Sequence, residues 1–441
     1  MRTLHCLAAC GCLGLAVGAH ADEPGLFVPQ LLGAQYTFVD QHQDALTSPY
    51  AGPLSLNPRG DTEQSHTVGA YFGVPLTARL QFYFDMEMFK GEGVSAATGL
   101  GGLTNGDVIR SGTVDLGKRA YVARRYFRYV LPLGDATETV ERAQDQLSGK
   151  QPVRHIEIKL GKMAANDDFD KNRYADSTRT QFMNWSLWND TAWDFAADTR
   201  GYTTGAMLAW VDAGWTLRYG IYQMPREANG QTLEWPLTRA NGQNLELTLQ
   251  PNADGWALRL LAFRNTARMG VYRDAIAAAQ SSGHPPDIVA DDRDGRHKTG
   301  FALNGELPLA DAGDTGLFAR YGWNDGKTES FAFSEVDRTL SFGAQVAGSR
   351  WSRPNDRFGV GIAVDGLSAD HRDYLAAGGN GFLLGDGRLN YAHEQIAEAY
   401  YAFQPVAHVT LSPDLQFIRN PGYNRDRGPA KFLGLRAHIE Y

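Results

Sequence analysis

Ten residues carry the chemistry that this sequence offers to a small polar solute. Seven are charges set into segments that alternate apolar with polar. In ARLQFYFDMEMFKG, Arg79, Asp85 and Glu87 share a face with Gln81 and Tyr83, opposite Leu80, Phe82, Phe84, Met86 and Met88. In YVARRYFRYVL, Arg124 and Arg128 share a face, and in RHIEIKLGK, Glu157 and Lys159 oppose Ile156, Ile158 and Leu160. Carboxylates accept and cationic side chains donate hydrogen bonds, so a mixed set can exchange both kinds with the hydroxyls of a neutral solute. The other three are Trp185, Trp188 and Trp193, whose flat faces can lie against the apolar face of a ring. Each group also fits a plainer role. The charges can pair into a ladder along a wall, and the tryptophans can pack a loop or sit at a membrane interface.

Nothing in the sequence adds catalysis to this set. There is no G-x-S-x-G and no glycine-rich phosphate loop, and the histidines lack metal-ligand spacing. Asn166-Asp167-Asp168-Phe169-Asp170 is acidic but lacks the glycine and distant glutamate of a calcium loop. No catalytic residue, cofactor or metal is expected.

The elements that carry these residues read as strands. Period-two alternation recurs in WTLRYGIYQM, NLELTLQ, TGLFARYGW, TLSFGAQVAG and RFGVGIAVDG. Turn pairs such as Asn105-Gly106, Asn229-Gly230, Asn241-Gly242 and Asp325-Gly326 punctuate them. Such strands fit a soluble sandwich or a transmembrane barrel. The polar faces carry full charges mid-strand, including Arg218 and Arg320, which suits an aqueous lumen with lipid outside. Segments also begin or end in aromatics, among them Phe89, Tyr129, Trp215, Trp323, Trp351 and Tyr441, as interfacial girdles would. One segment is ambiguous. Placing Arg124 and Arg128 inside leaves only Arg125 on the lipid face, where an arginine at mid-depth costs about 2–4 kcal/mol. This reading puts Tyr121 and Ala123 on the lipid face with it.

The chain has 441 residues, 43% hydrophobic and 21% charged, with a net charge of -8, which disfavours a nucleic-acid partner. Its 49 glycines, 19 tyrosines, 21 phenylalanines and 9 tryptophans favour an all-β fold. Residues 1–21 read as a cleaved signal peptide: Arg2, an apolar run from Cys6 to Ala19, and the A-x-A site Ala19-His20-Ala21. The three cysteines lie inside it, so residues 22–441, read as one barrel domain, have none. No later segment reaches the roughly 18 apolar residues of a membrane helix. Residues 134–151 and 274–299 are polar, weakly patterned and read as long loops. At the C-terminus Leu433, Leu435, Ala437, Ile439 and Tyr441 share a face. This reads as the strand that closes the barrel on its first strand, with Tyr441 at the periplasmic interface, offered to the barrel-assembly machinery.

The central block then gains a specific meaning. Lys159-Leu160-Gly161-Lys162, Asp168-Phe169-Asp170, Asn172, Tyr174, Arg179 to Leu187, and Trp193-Asp194-Phe195 through Asp198-Thr199-Arg200-Gly201-Tyr202 resemble the carbohydrate-selective porin (OprB) family. So do Glu398-Ala399-Tyr400-Tyr401 and Leu411 to Pro429. The likeness is weak over residues 25–75 and 270–300. It implies a closed antiparallel transmembrane β-barrel of about 16 strands, 18 being possible, with short periplasmic turns and longer extracellular loops. It implies passive diffusion of monosaccharides, glucose above all, across the outer membrane of a Gram-negative bacterium, without catalysis. Monosaccharides and outer-membrane lipids are the expected partners, and a homotrimer is possible. An anion- or phosphate-selective or general porin is the alternative, since Arg124, Arg128, Lys159 and Arg218 could form a basic ladder.

Overall fold

The computed structural model describes residues 27–108 and 119–441; the signal-peptide reading falls outside them. Its barrel strands are β1 (Gln30–Gln43), β2 (Asp61–Pro75), β3 (Leu80–Gly91), β4 (Tyr121–Pro132), β7 (His155–Met163), β8 (Thr203–Asp212), β9 (Trp215–Gln223), β10 (Asn241–Leu249), β11 (Ala257–Met269), β12 (Arg293–Ala310), β13 (Thr315–Asn324), β14 (Arg338–Ala347), β15 (Arg357–Gly366), β16 (Glu394–Val406), β17 (Val409–Arg419) and β18 (Ala430–Glu440). These sixteen strands form one closed antiparallel barrel. A separate hairpin pairs β5 (Thr137–Val140) with β6 (Gly149–Pro152).

Closure runs through β1 and β18, from Gln35 opposite Glu440 to Gln43 opposite Phe432. Every edge is therefore paired. The alternation predicted for the last strand holds: Leu433, Leu435, Ile439 and Tyr441 are exposed on the outer wall, while Arg436 and His438 are buried inside. The outer wall elsewhere is equally apolar, with Met86, Met88, Ile158 and Leu160 exposed. In water this surface would be unfavourable; in lipid it is the ordinary solution.

One end of the barrel has short connections, such as residues 76–79, 213–214 and 407–408. The other has long ones, including 44–60, 164–202, 270–292 and 367–393. By barrel convention the short end is periplasmic. Trp210 and Trp215 pack at that end with ring centres 5.6 Å apart, and Trp351 Nε1 donates to Tyr401 Oη at 2.9 Å. Phe301 and Trp323 lie toward the other end, 5.8 Å apart.

Two sequence expectations change. The ambiguous strand β4 contains a bulge: Asp85 pairs with Arg124, but its neighbour Met86 pairs with Val122. The extra residue, Ala123, is fully buried beside Arg124 rather than turned to lipid. A bulge reverses the alternation locally. Arg124 keeps its inward placement and Arg125 is exposed, as expected. The polar loops also hold structure. Residues 134–151 contain most of the β5–β6 hairpin, and α2 (Tyr272–Ser282) and the outer end of β12 occupy much of 274–299.

The loop 164–202 runs inside the barrel instead of outside it. Phe169, Tyr174, Phe182, Leu187 and Trp193 are buried, and the short helix α1 (Trp185–Trp188) sits within it. A third helix, α3 (Ala369–Ala376), packs near α2 at the extracellular end.

Candidate functional site

The in-folded loop is held by polar contacts to nearly the whole wall. Asp170 pairs with Arg320 of β13, Asn172 Nδ2 donates to Asn304 Oδ1 of β12 at 2.8 Å, and Asp194 meets Lys298 of β12 at 3.0 Å. The amides of Met183 and Asn184 donate to the Glu398 carboxylate of β16 at 2.5 and 3.0 Å. Ser186 Oγ donates to Asp365 of β15 at 2.6 Å, and Arg436 of β18 donates to the Thr178 carbonyl at 2.6 Å. The family-like block therefore builds the loop. Most of its Asp and Asn side chains are spent on the wall and are not free for a solute.

What remains is a cavity of about 500 Å³ between that loop and strands β3, β4 and β7. Arg124 is its centre. It lies 3.1 Å from Asp85, 2.6 Å from Asp167 and 3.3 Å from Asp145, with the Tyr202 ring centre 5.2 Å away. Lys159 Nζ meets Asp168 at 2.6 Å, and Arg179 bridges Glu87 at 3.0 Å and Asp107 at 2.8 Å. Tyr202 Oη donates to the second Glu87 oxygen. In the family-like K-L-G-K run, Gly161 has φ +141°, and a Cβ there would stand 2.3 Å from the Arg125 carbonyl oxygen. Only glycine lets β7 approach β4 so closely behind Tyr126, another cavity residue.

The ten residues singled out by sequence part company here. Glu87, Arg124, Lys159, Trp185 and Trp188 line the cavity. Asp85 lies directly behind it, fully buried against Arg124. Arg128 and Glu157 pair at 2.8 Å on the same inner wall, nearer the periplasm, and lie outside the lining. Two placements are corrected. Arg79 is exposed in the periplasmic turn, because Thr77 Oγ1 accepts from the amides of Arg79 and Leu80 and the strand starts only at Leu80. Trp193 is buried away from the cavity, donating to Asn244 Oδ1 of β10 at 3.0 Å and packing on Phe169 and Phe195. Trp185 stacks on Phe333 with centres 4.8 Å apart and meets Trp188 edge-on.

Sequence reasoning missed Arg179, Asp107, Asp145 and Tyr202, and weighed Asp167 only as part of an acidic run. Arg179 and Tyr202 lay inside the quoted block, and an arginine flanked by threonines there was a usable signal. Asp107 and Asp145 stand in loops whose routes no local pattern reveals.

A closed barrel with a lipid-compatible wall, an in-folded loop and a charged waist is the architecture of an outer-membrane channel. A profile of the carbohydrate-selective porin, OprB family matches residues 69–441, and the chain belongs to that family. It is a porin of the Gram-negative outer membrane and conducts sugars. No curated protein matches the sequence. Among solved structures, the high-pH structure of Pseudomonas putida OprB is similar at a TM-score of 0.70 and 15% identity, covering 94% of each chain. The outer-membrane channel DcaP of Acinetobacter baumannii is similar at a TM-score of 0.51 and 10% identity, covering 94% of this chain and 97% of that one.

Proposed function

We propose that this channel prefers monosaccharides of the glucose type, and that the Arg124-centred cavity is where they are selected. The observation that carries the reading is charge balance at the cavity wall. Among the described residues five cationic ones line it, Arg124, Lys159, Lys171, Arg179 and Arg200, against five acidic ones, Glu87, Asp107, Asp145, Asp167 and Asp176. Such a wall offers donors and acceptors in equal measure, as a neutral polyol requires, and gives an anion no net attraction. Its volume lies within the range of small-molecule sites. Trp185 and Trp188 add aromatic surface on one side. Contacts are numerous but shared with wall partners, so residence is short, which conduction needs.

The anion-selective alternative loses its support here. Arg218, the fourth member of the supposed basic ladder, donates to Thr248 Oγ1 at 3.1 Å and lies outside the cavity lining. Arg124, Arg128 and Lys159 each have a carboxylate partner. The outward-facing Leu433, Leu435, Ile439 and Tyr441 support a role for the last strand in recognition by the assembly machinery.

The test is single-channel current in planar bilayers with glucose, maltose and phosphate titrated in turn. Saturable block by glucose at concentrations where phosphate has none supports the reading. Strong anion selectivity without a sugar block would overturn it.

A further inference from the structure

The connection between β4 and β7 does not belong to the pattern of the periplasmic end. Residues 133–154 join these strands, whereas the next longest connection on that side spans only 348–356. The extra length makes the β5–β6 hairpin, and the hairpin turns back into the barrel. At its tip, Asp145 Oδ2 stands 3.3 Å from Arg124 Nε. Arg124 lies eight residues up β4 from its periplasmic end at Pro132. The tip therefore meets a side chain carried eight residues up that strand, while Arg142, Ala143 and Gln144 lie beside Ala407 and His408 of a periplasmic turn.

The tip is seated as well as inserted. Leu147 is buried in the same apolar cluster as Leu32 and Tyr83, and its amide donates to Tyr83 Oη at 3.3 Å. Gly73 leaves room for this seat: a Cβ there would come within 2.9 Å of Leu32, 3.1 Å of Tyr83 and 3.3 Å of Leu147. Arg128 Nη2 donates to Gln151 Oε1 at 2.7 Å. Arg142 Nη1 donates to the Leu31 carbonyl at 3.2 Å, and its guanidinium lies 5.3 Å from the Tyr441 ring centre. By contrast Thr137, Glu138, Thr139, Gly149 and Lys150 of the stem are exposed. The hairpin is thus anchored at its tip and through Gln151, and solvent-facing along the rest of its stem.

Gln144, Asp145 and Gln146 also line the same cavity as Glu87 and Arg124. We propose that this periplasmic hairpin is the floor of the sugar-selecting cavity, and that Asp145, carried on it, is a specificity-determining residue that sets the size limit of the pore from the periplasmic side. The proposal rests on the channel reading above. Extracellular loops supply the ceiling and one wall; the hairpin supplies the opposite boundary that a solute must pass to leave. A monosaccharide must pass the tip beside Asp145, which shares the Arg124 guanidinium with Asp167 of the loop 164–202, and a longer sugar is held back there.

The test uses the whole chain of residues 22–441, with folding checked by heat-modifiable migration in gels. Since residues 22–441 contain no cysteine, single cysteines placed there are the sole thiols of a chain from which residues 1–21 have been removed, a removal checked by mass. Gln144→Cys, treated with a charged thiosulfonate, is expected to lose about half or more of its conductance, because the adduct stands in the conducting path. Lys150→Cys on the exposed stem, treated likewise, is expected to keep it. Replacing residues 136–153 with a short glycine-serine turn is expected to raise conductance about twofold or more and let maltose enter liposomes at a rate near that of glucose. Asp145→Ala is expected to move both quantities the same way by less. If wild-type current is blocked by glucose but modified Gln144→Cys conducts normally, the hairpin proposal is overturned and the channel reading stands. If the wild type shows no glucose block at all, the selecting cavity itself fails.

Discussion

Arg320 on β13 and Asp170 in the loop 164–202 meet inside the barrel, Nε 3.1 Å from Oδ2, with both side chains shielded from solvent. The same guanidinium donates to the carbonyls of Leu187 at 2.9 Å and Ala175 at 2.7 Å. One wall side chain therefore pins three points of the in-folded loop. Removing one partner of a buried ion pair strands the other, at about 3–5 kcal/mol. Arg320→Met should leave the barrel closed, since its strands are held by their own ladders, but release the loop. The expected readout is a noisier and larger single-channel current, with new tryptic cleavage after Arg173 or Arg179. An unchanged, quiet channel would show that the remaining anchors suffice.

Arg124 and Arg128 sit four residues apart on one strand and should behave differently. Arg124 faces Asp85, Asp145 and Asp167 at the cavity, whereas Arg128 is matched to Glu157 nearer the periplasm. Arg124→Ala leaves three carboxylates with less compensation in the conducting path. The reversal potential in a salt gradient should shift toward cation selectivity, and glucose block should weaken about tenfold or more, in line with losing charged hydrogen bonds worth about 1.5–3 kcal/mol. Arg128→Ala should change selectivity less. Equal shifts from both would mean that the cavity is not the selecting point.

The tryptophans offer a second contrast. Trp185 lines the cavity and Trp193 does not. Trp185→Ala should weaken glucose block several-fold, by roughly 1 kcal/mol of lost aromatic contact. Trp193→Phe should leave block unchanged, because its indole donates to Asn244 behind the loop. Its cost, about 1 kcal/mol for a lost neutral hydrogen bond, should appear in loop stability instead. Current-block titrations on the two variants decide this.

Glu329, in the extracellular connection between β13 and β14, accepts from the Gly270 amide at 2.7 Å. Burial pushes its carboxyl up to about 7, from an ordinary value of 4.5. A group raised in the folded state adds stability that is full below its unfolded value and is lost as pH rises through its folded value. Docking of this connection on Gly270 should therefore weaken between about pH 4.5 and 7. Hydrogen exchange at residues 270 and 329, corrected for intrinsic rates, should show more opening at the upper end of that window. Glu329→Gln should remove most of the dependence.

The barrel was legible because lipid and lumen impose opposite chemistry on alternate residues, and Leu433, Leu435, Ile439 against Arg436 and His438 spell this out. The waist was legible in part for the same reason. Glu87, Arg124 and Lys159 are mid-strand charges of the kind a lipid face disfavours. Where alternation stops, so did the reading. Arg79 continues the pattern by one step into a turn fixed by Thr77. Ala123 breaks it with a bulge that sequence does not mark. The stem TETV and GKQP is too short and too polar to register as a hairpin, so Asp145 was invisible at the site. The family-like block announced polar residues in the lumen, but the pairing of Asp170 with Arg320 and Asn172 with Asn304 is a three-dimensional fact. Side-chain type alone does not say whether a carboxylate faces solute or wall.

The most direct test of the central claim is the rate of osmotic swelling of liposomes carrying the purified protein, compared for glucose and maltose at equal osmolarity. A sugar-selecting waist of this size predicts rapid swelling in glucose and much slower swelling in maltose, with Arg124→Ala narrowing the gap. Rates that differ only by the free-diffusion ratio of the two sugars, and do not respond to Arg124→Ala, would contradict it.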